Sequence, residues 1–95
     1  MGYTIYYHVE IKEYKKACTF IERICNSLNL DCRFNETEII IKPPSKEVEH
    51  LVIKNGRWFV KTYKRDPYTS IYLLLLLSLS AFGSVEVSDD EGFTL

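Results

Sequence analysis

The chain has 95 residues, a net charge of −1 at pH 7, and 46% apolar against 26% charged residues. That is enough for one domain with one hydrophobic core, and it speaks against intrinsic disorder. The near-zero charge also speaks against a protein whose main task is gripping nucleic-acid phosphates. The balance hides an uneven layout, since residues 54–65 hold five bases and no acid while residues 86–91 hold four acids and no base.

Residues 1–10 carry neither a charged n-region nor an apolar h-region, so the expected compartment is the cytoplasm. In residues 3–11, YTIYYHVEI, period two puts Tyr3, Ile5, Tyr7, Val9 and Ile11 on one face. Thr4, Tyr6, His8 and Glu10 fall on the other, which predicts a half-buried strand. The period then changes. Tyr14, Ala17, Cys18, Ile21, Ile24, Cys25 and Leu28 trace an i, i+3, i+4, i+7 stripe, predicting an amphipathic helix on the core.

The three cysteines, Cys18, Cys25 and Cys32, form no C-x-x-C pair. Cys18 and Cys25 lie two helical turns apart, too far for a bridge. Two readings stay open: buried small hydrophobes, or a Cys25–Cys32 bridge from a helix end to the next strand. The absence of glutamine and the abundance of Ile, Tyr, Lys and Glu have a thermophilic cast.

DCRF and TEIIIK are predicted strands with a turn at Asn35 and Glu36 between them. Pro43 and Pro44 end the second, because proline donates nothing to a ladder. Asn55-Gly56 between apolar runs predicts a two-residue hairpin turn. In that register Lys54 faces Arg57 and His50 faces Lys61. Leu51, Ile53, Trp58 and Val60 then point to the core, with His50, Phe59 and Tyr63 on the open face.

In RDPYTSIYLLLLLSLSAFG, Asp66 suits an N-cap, Pro67 the first helical position and Gly83 the end, predicting a helix over residues 67–82. Its unbroken apolar part, residues 71–77, is far short of the ~20 residues that span a bilayer. A helix apolar on nearly every side needs cover all round, so part of it is expected to meet another copy of the chain. SVEVS predicts a last strand, with an acidic tail over residues 89–95. The expected class is α+β: a ferredoxin-like two-layer sandwich in the order β-α-β-β-β-β-α-β, with two helices on one face of a mostly antiparallel sheet.

The strongest candidate site is the junction at residues 61–68. A helix start offers unpaired N–H groups beside Lys61, Lys64 and Arg65, with Thr62 and Tyr68 at hand, and suits a small anion. Asp89 and Asp90 are weaker candidates for a hard cation. A third candidate is the open sheet face, where Tyr6, His8, His50, Phe59 and Tyr63 would gather; aromatics there with Lys54, Arg57 and Lys61 would suit stacked single-stranded bases. There is no P-loop, G-x-S-x-G or H-E-x-x-H motif, and no cofactor is implied.

Phe59, Lys61, Thr62, Arg65, Pro67 and Tyr68, then an apolar helix and a strand ending in Ser88 and Asp89, give a recognisable C-terminal third. In these positions the chain resembles a set of short prokaryotic proteins for which no activity is settled. It carries one residue more than they do between the Lys-Thr pair and the proline. The leading expectation is a non-catalytic, self-associating binding or regulatory module with an anion site at the start of the second helix. The alternatives are a metal-assisted enzyme on phosphate-bearing substrates and a single-stranded nucleic-acid binder.

Overall fold

The computed structural model describes residues 3–63 and 67–92. The class is α+β, with two helices and two three-stranded antiparallel sheets. The first sheet has the order β5 (Gly56–Lys61), β1 (Thr4–Ile11), β6 (Gly83–Asp89). The second runs β2 (Asp31–Phe34), β3 (Glu38–Lys42), β4 (Leu51–Lys54). Helix α1 (Tyr14–Leu28) joins β1 to β2, and α2 (Tyr68–Ser78) joins β5 to β6.

The alternation of β1 sorts most of its side chains as expected, with Ile5, Tyr7, Val9 and Ile11 buried, Tyr6 and Glu10 exposed and His8 half-buried; Thr4, expected on the outward face, is buried. Because β1 is antiparallel to both neighbours, β5 and β6 run parallel to each other on its two sides. With α2 between them they form a split β-α-β unit. That is half of the ferredoxin-like plan. The other half is absent, because β2 leaves α1 to pair with β3 in the second sheet. The expected single sheet is therefore corrected to two.

The division happens at Asn55-Gly56. Instead of turning back in one sheet, the chain leaves β4, paired through Lys54 to Glu38 of β3, and starts β5, paired through Gly56 to Val9 of β1. Gly56 has φ +115°, a conformation that L side chains rarely adopt. Asn55 Oδ1 accepts the Ile11 amide at 2.7 Å. The odd-numbered groups of β1 face β5, as the bond from Thr62 N to the Tyr3 carbonyl (3.0 Å) fixes. At Ile11 strand β5 has run out, and Asn55 stands in for it. With the hairpin register goes the placing of Trp58 in the core: it is 44% exposed, with Lys54 Nζ 4.3 Å from its ring centroid. Leu51, Ile53 and Val60 are buried as predicted.

Both sheets and both helices contribute to one apolar cluster. Ile5 and Val9 come from β1, Ile39 and Ile41 from β3, Ala17 and Ile21 from α1, and Tyr72, Leu75 and Leu76 from α2. The Tyr7 hydroxyl donates to the Val52 carbonyl, crossing from one sheet to the other. Of the two cysteine readings, the bridge is found: Cys25 and Cys32 tie the end of α1 to β2 at a Cα separation of 6.5 Å, and Cys18 is free and half-buried.

Helix α2 is shorter than expected, ending at Ser78 and followed by a 3-10 turn at Leu79–Ala81. Pro67 holds its N-cap position; Asp66, the expected cap, lies outside the described residues. No described helix is long and apolar enough to cross a membrane. Gly83 opens β6 opposite Ile11, and a Cβ there would overlap the Glu10 carbonyl.

Tyr7→Phe is expected to lower unfolding stability by about 1 kcal/mol through the lost inter-sheet hydrogen bond. Gly83→Ala should cost about 2–3 kcal/mol or more, because backbone must move. Opening the Cys25–Cys32 loop by reduction should cost about 2 kcal/mol. Urea unfolding of the three forms, with the last under reductant, checks the ranking.

Candidate functional site

The inner face of the first sheet packs on the core. Its outer face is exposed at Tyr6 and Glu10, half-buried at His8 and buried at Thr4, and is built in cross-strand rows. Tyr6 on β1 stands between Phe59 on β5 and Ser88 on β6, and His8 stands between Arg57 and Glu86. The Tyr6 and Phe59 rings have centroids 6.3 Å apart at 45°, and the two side chains are 46% and 48% exposed. Together with His8, Arg57, Glu86 and Ser88 they line a shallow hollow. The His8 Nε2 lies 3.6 Å from Glu10 Oε1 on the same face. Charge is divided across the hollow, with Arg57 and Lys61 on the β5 side and Glu86 with Ser84 and Ser88 on the β6 side.

Of the five residues expected on the open face, the structure brings Tyr6, His8 and Phe59 together. His50 precedes β4 in the second sheet and lies in an adjoining groove with Glu49, bordered by Trp58 and Phe59, which also line the hollow. Tyr63 lies beyond the last β1–β5 pair, in a left-handed conformation with φ 55°. Glu86 and Ser88 were not among the residues expected here. Their signal was the S-V-E-V-S alternation, which sends both outward once the valines turn inward.

The expected anion site is partly described. Lys61 is exposed and shares the outer face with Arg57 and Phe59. Its backbone is clasped by Glu49: Lys61 N donates to Glu49 Oε1 at 2.9 Å, and Glu49 N donates to the Lys61 carbonyl at 3.1 Å. Thr62 is fully buried, and its Oγ1 accepts from the Thr69 hydroxyl at 2.7 Å, anchoring the first turn of α2 to the end of β5. Tyr68 opens α2 half-buried. Lys64 and Arg65 lie outside the described residues.

Asp89 and Asp90 are engaged with the start of the chain. Asp89 Oδ2 accepts the Tyr3 hydroxyl at 2.7 Å and its Oδ1 accepts the Glu91 amide at 3.0 Å. Asp90 Oδ2 accepts the Thr4 amide at 3.2 Å, and Asp90 N donates to the Thr4 carbonyl at 3.1 Å. These bonds close β6 against β1. Among the described residues, no group of three or more His, Cys, Asp or Glu side chains converges as a metal site would need. Burial, then the hydrogen bond and charge of Asp89, push the Tyr3 hydroxyl from 10.0 up to about 12. Burial also pushes Tyr7 and Tyr72 up.

No protein-family model, curated protein or solved structure matches the chain.

A tyrosine whose pKa is raised by folding binds its proton more tightly in the native state. Its contribution is present in full below the ordinary value of 10.0 and is lost as pH climbs through about 12. Unfolding free energy should therefore fall steadily above about pH 10, and Tyr3→Phe should flatten part of that fall. Urea titrations from about pH 8 to about pH 12 test it, and stability that holds through the top of that range would mean Tyr3 ionises freely.

Proposed function

We propose that the protein is a small non-catalytic binding or regulatory module that takes its ligand on the open face of the first sheet. The observation that carries this reading is the contact of the half-exposed Tyr6 and Phe59 rings, with Arg57 and Lys61 projecting from the same face of β5. Exposed rings offer π-faces, and the two cations offer charge-assisted hydrogen bonds. A ligand that uses both has a flat ring and an anionic group, which is the chemistry of a nucleotide, either free or within a single strand.

The anion expected at the start of α2 belongs to the same reading through Lys61, which links that junction to the ring pair. A metal-assisted enzyme would have to draw on Asp89 and Asp90, whose carboxylates already accept hydrogen bonds from Tyr3, Glu91 and Thr4. The cytoplasmic setting is part of the proposal. A disulfide persists there chiefly in hyperthermophilic organisms, and the absence of glutamine has the same bearing.

Trp58 is the single tryptophan and its ring lies 6.2 Å from that of Phe59, so its emission reports on the site. A mononucleotide and an oligonucleotide of about 15 bases should each be titrated at about 50 and about 200 mM salt. Quenching that falls at least about tenfold in affinity in Tyr6→Ala or Phe59→Ala supports the reading. Steep salt dependence with the oligonucleotide points to a strand, and binding of the mononucleotide points to a free nucleotide. Emission unchanged by both ligands overturns it.

A further inference from the structure

A carboxylate lines the hollow on the outer face of the first sheet: that of Glu86, exposed on β6. Beside the phosphate of a bound nucleotide it would repel. Its place in the sheet keeps it away from one. Glu86 is paired with His8, and Arg57 of β5 lies on the far side of that histidine. Tyr6 is paired with Ser88, which makes Glu86 the diagonal neighbour of the Tyr6 ring. Such neighbours are about 7–8 Å apart, within reach of long and aromatic side chains. The other carboxylate on this face, that of Glu10, lies one row further from the rings, opposite Ser84 and 3.6 Å from His8 Nε2.

A nucleotide on this face therefore has a direction. Its phosphate belongs over β5, with Arg57 and Lys61, and its ring belongs on Tyr6 and Phe59. The far edge of the ring then reaches over β6, toward Glu86 and Ser88. An ionised carboxylate offers only acceptors, so that edge must supply donors. Adenine and cytosine set a ring-nitrogen acceptor beside their exocyclic amine, and uracil has one N–H between two carbonyls. Guanine alone sets two donors side by side, N1–H and the exocyclic amine, which match the two oxygens of a carboxylate. The Ser88 hydroxyl can donate or accept, so it does not choose among bases.

We propose that the face takes a free guanine nucleotide, with Glu86 accepting the two N–H donors of the base. A strand would carry further phosphates past that carboxylate, and the chain's net charge of −1 gives them little attraction. The proposal rests on the nucleotide reading of the face and adds to it the base and the residue that selects it. Specificity here is a difference in affinity: the carboxylate rewards guanine and opposes the acceptor edges of its competitors.

Trp58 emission is followed while guanosine, adenosine, cytidine and uridine monophosphates, and a mixed-sequence oligonucleotide of about 15 bases, are each titrated in. Guanosine monophosphate should bind at least about tenfold tighter than the other three. Glu86→Gln, an exposed change on a strand, offers one acceptor and one donor in place of two acceptors. It should weaken guanosine monophosphate about tenfold and leave adenosine monophosphate no weaker than before. Equal affinity for all four bases overturns the proposal and leaves the nucleotide reading standing, as does preference for another base. Uniform tightening of all four in Glu86→Gln also overturns it, since the carboxylate would then only repel phosphate. Binding of the oligonucleotide alone overturns the free nucleotide. Emission unchanged by every ligand overturns both the proposal and the reading beneath it.

Discussion

The hydrogen bond from the Ile11 amide to Asn55 Oδ1 holds the place where the chain passes from one sheet to the other, and most of the architecture follows from that passage. Strand β1 needs partners on both sides. It is matched to β6 as far as Gly83 opposite Ile11, but β5 reaches only to Gly56 opposite Val9. Without the asparagine, the last amide of β1 would face the corner unpaired, at a cost of about 1–3 kcal/mol if kept from water. With it, β5 is held in register on β1, and β4 is free to turn onto β3. The Tyr7 hydroxyl then reaches across to Val52, so the two sheets share one core rather than standing as two marginal three-stranded pieces.

This corner also explains which parts of the fold were legible in the sequence. Periodicity is a local property, and β1, α1, β2, β3 and the inward pattern of β4 stand close to where the alternation and the helical stripe place them. Strand pairing is not local. Asn-Gly marks a change of direction with positive φ, and a hairpin and a corner between sheets use the same two residues. What separates them is whether a third strand competes for β5, and here β1 does, along its whole length. Trp58 keeps the face that alternation gives it, opposite Tyr7 and in line with Val60, but β5 is the edge strand of its sheet and the indole is left 44% exposed. The disulfide was legible as a spacing that a helix end and the next strand could satisfy, but spacing cannot separate it from two buried thiols.

The site was legible to the extent that it is a strand face. Tyr6, His8, Arg57 and Phe59 follow from alternation in two strands that turned out to be neighbours. Glu86 and Ser88 come from the far end of the chain and join them only because β6 lies on the other flank of β1. His50 was assigned to this face through the hairpin register and left it when that register failed. Thr62 shows a different limit. A threonine beside lysines reads as a surface donor, yet it is fully buried and holds the Thr69 hydroxyl, so its place is in fastening α2.

Helix α2 shows how polar groups orient an apolar element. A run of five leucines with apolar neighbours has no side that water excludes more than another, so the hydrophobic effect buries the helix without choosing its rotation. Polar contacts choose it, among them Thr69 to Thr62 and the Tyr72 hydroxyl to the Glu49 carbonyl at 2.8 Å. With Thr69 and Tyr72 turned inward, helical spacing brings Leu75, Leu76 and, past the helix end, Leu79 in behind them. The same spacing leaves Ser70, Leu74, Leu77 and Ala81 on the far side. The exposure of Leu74 is thus a geometric consequence of the rotation in which Thr69 and Tyr72 face inward, and a leucine run in a chain of this size must show some of its members once any rotation is fixed. Why the exposed positions remain leucine is a question of what meets them on the side of α2 turned away from β6 and the core.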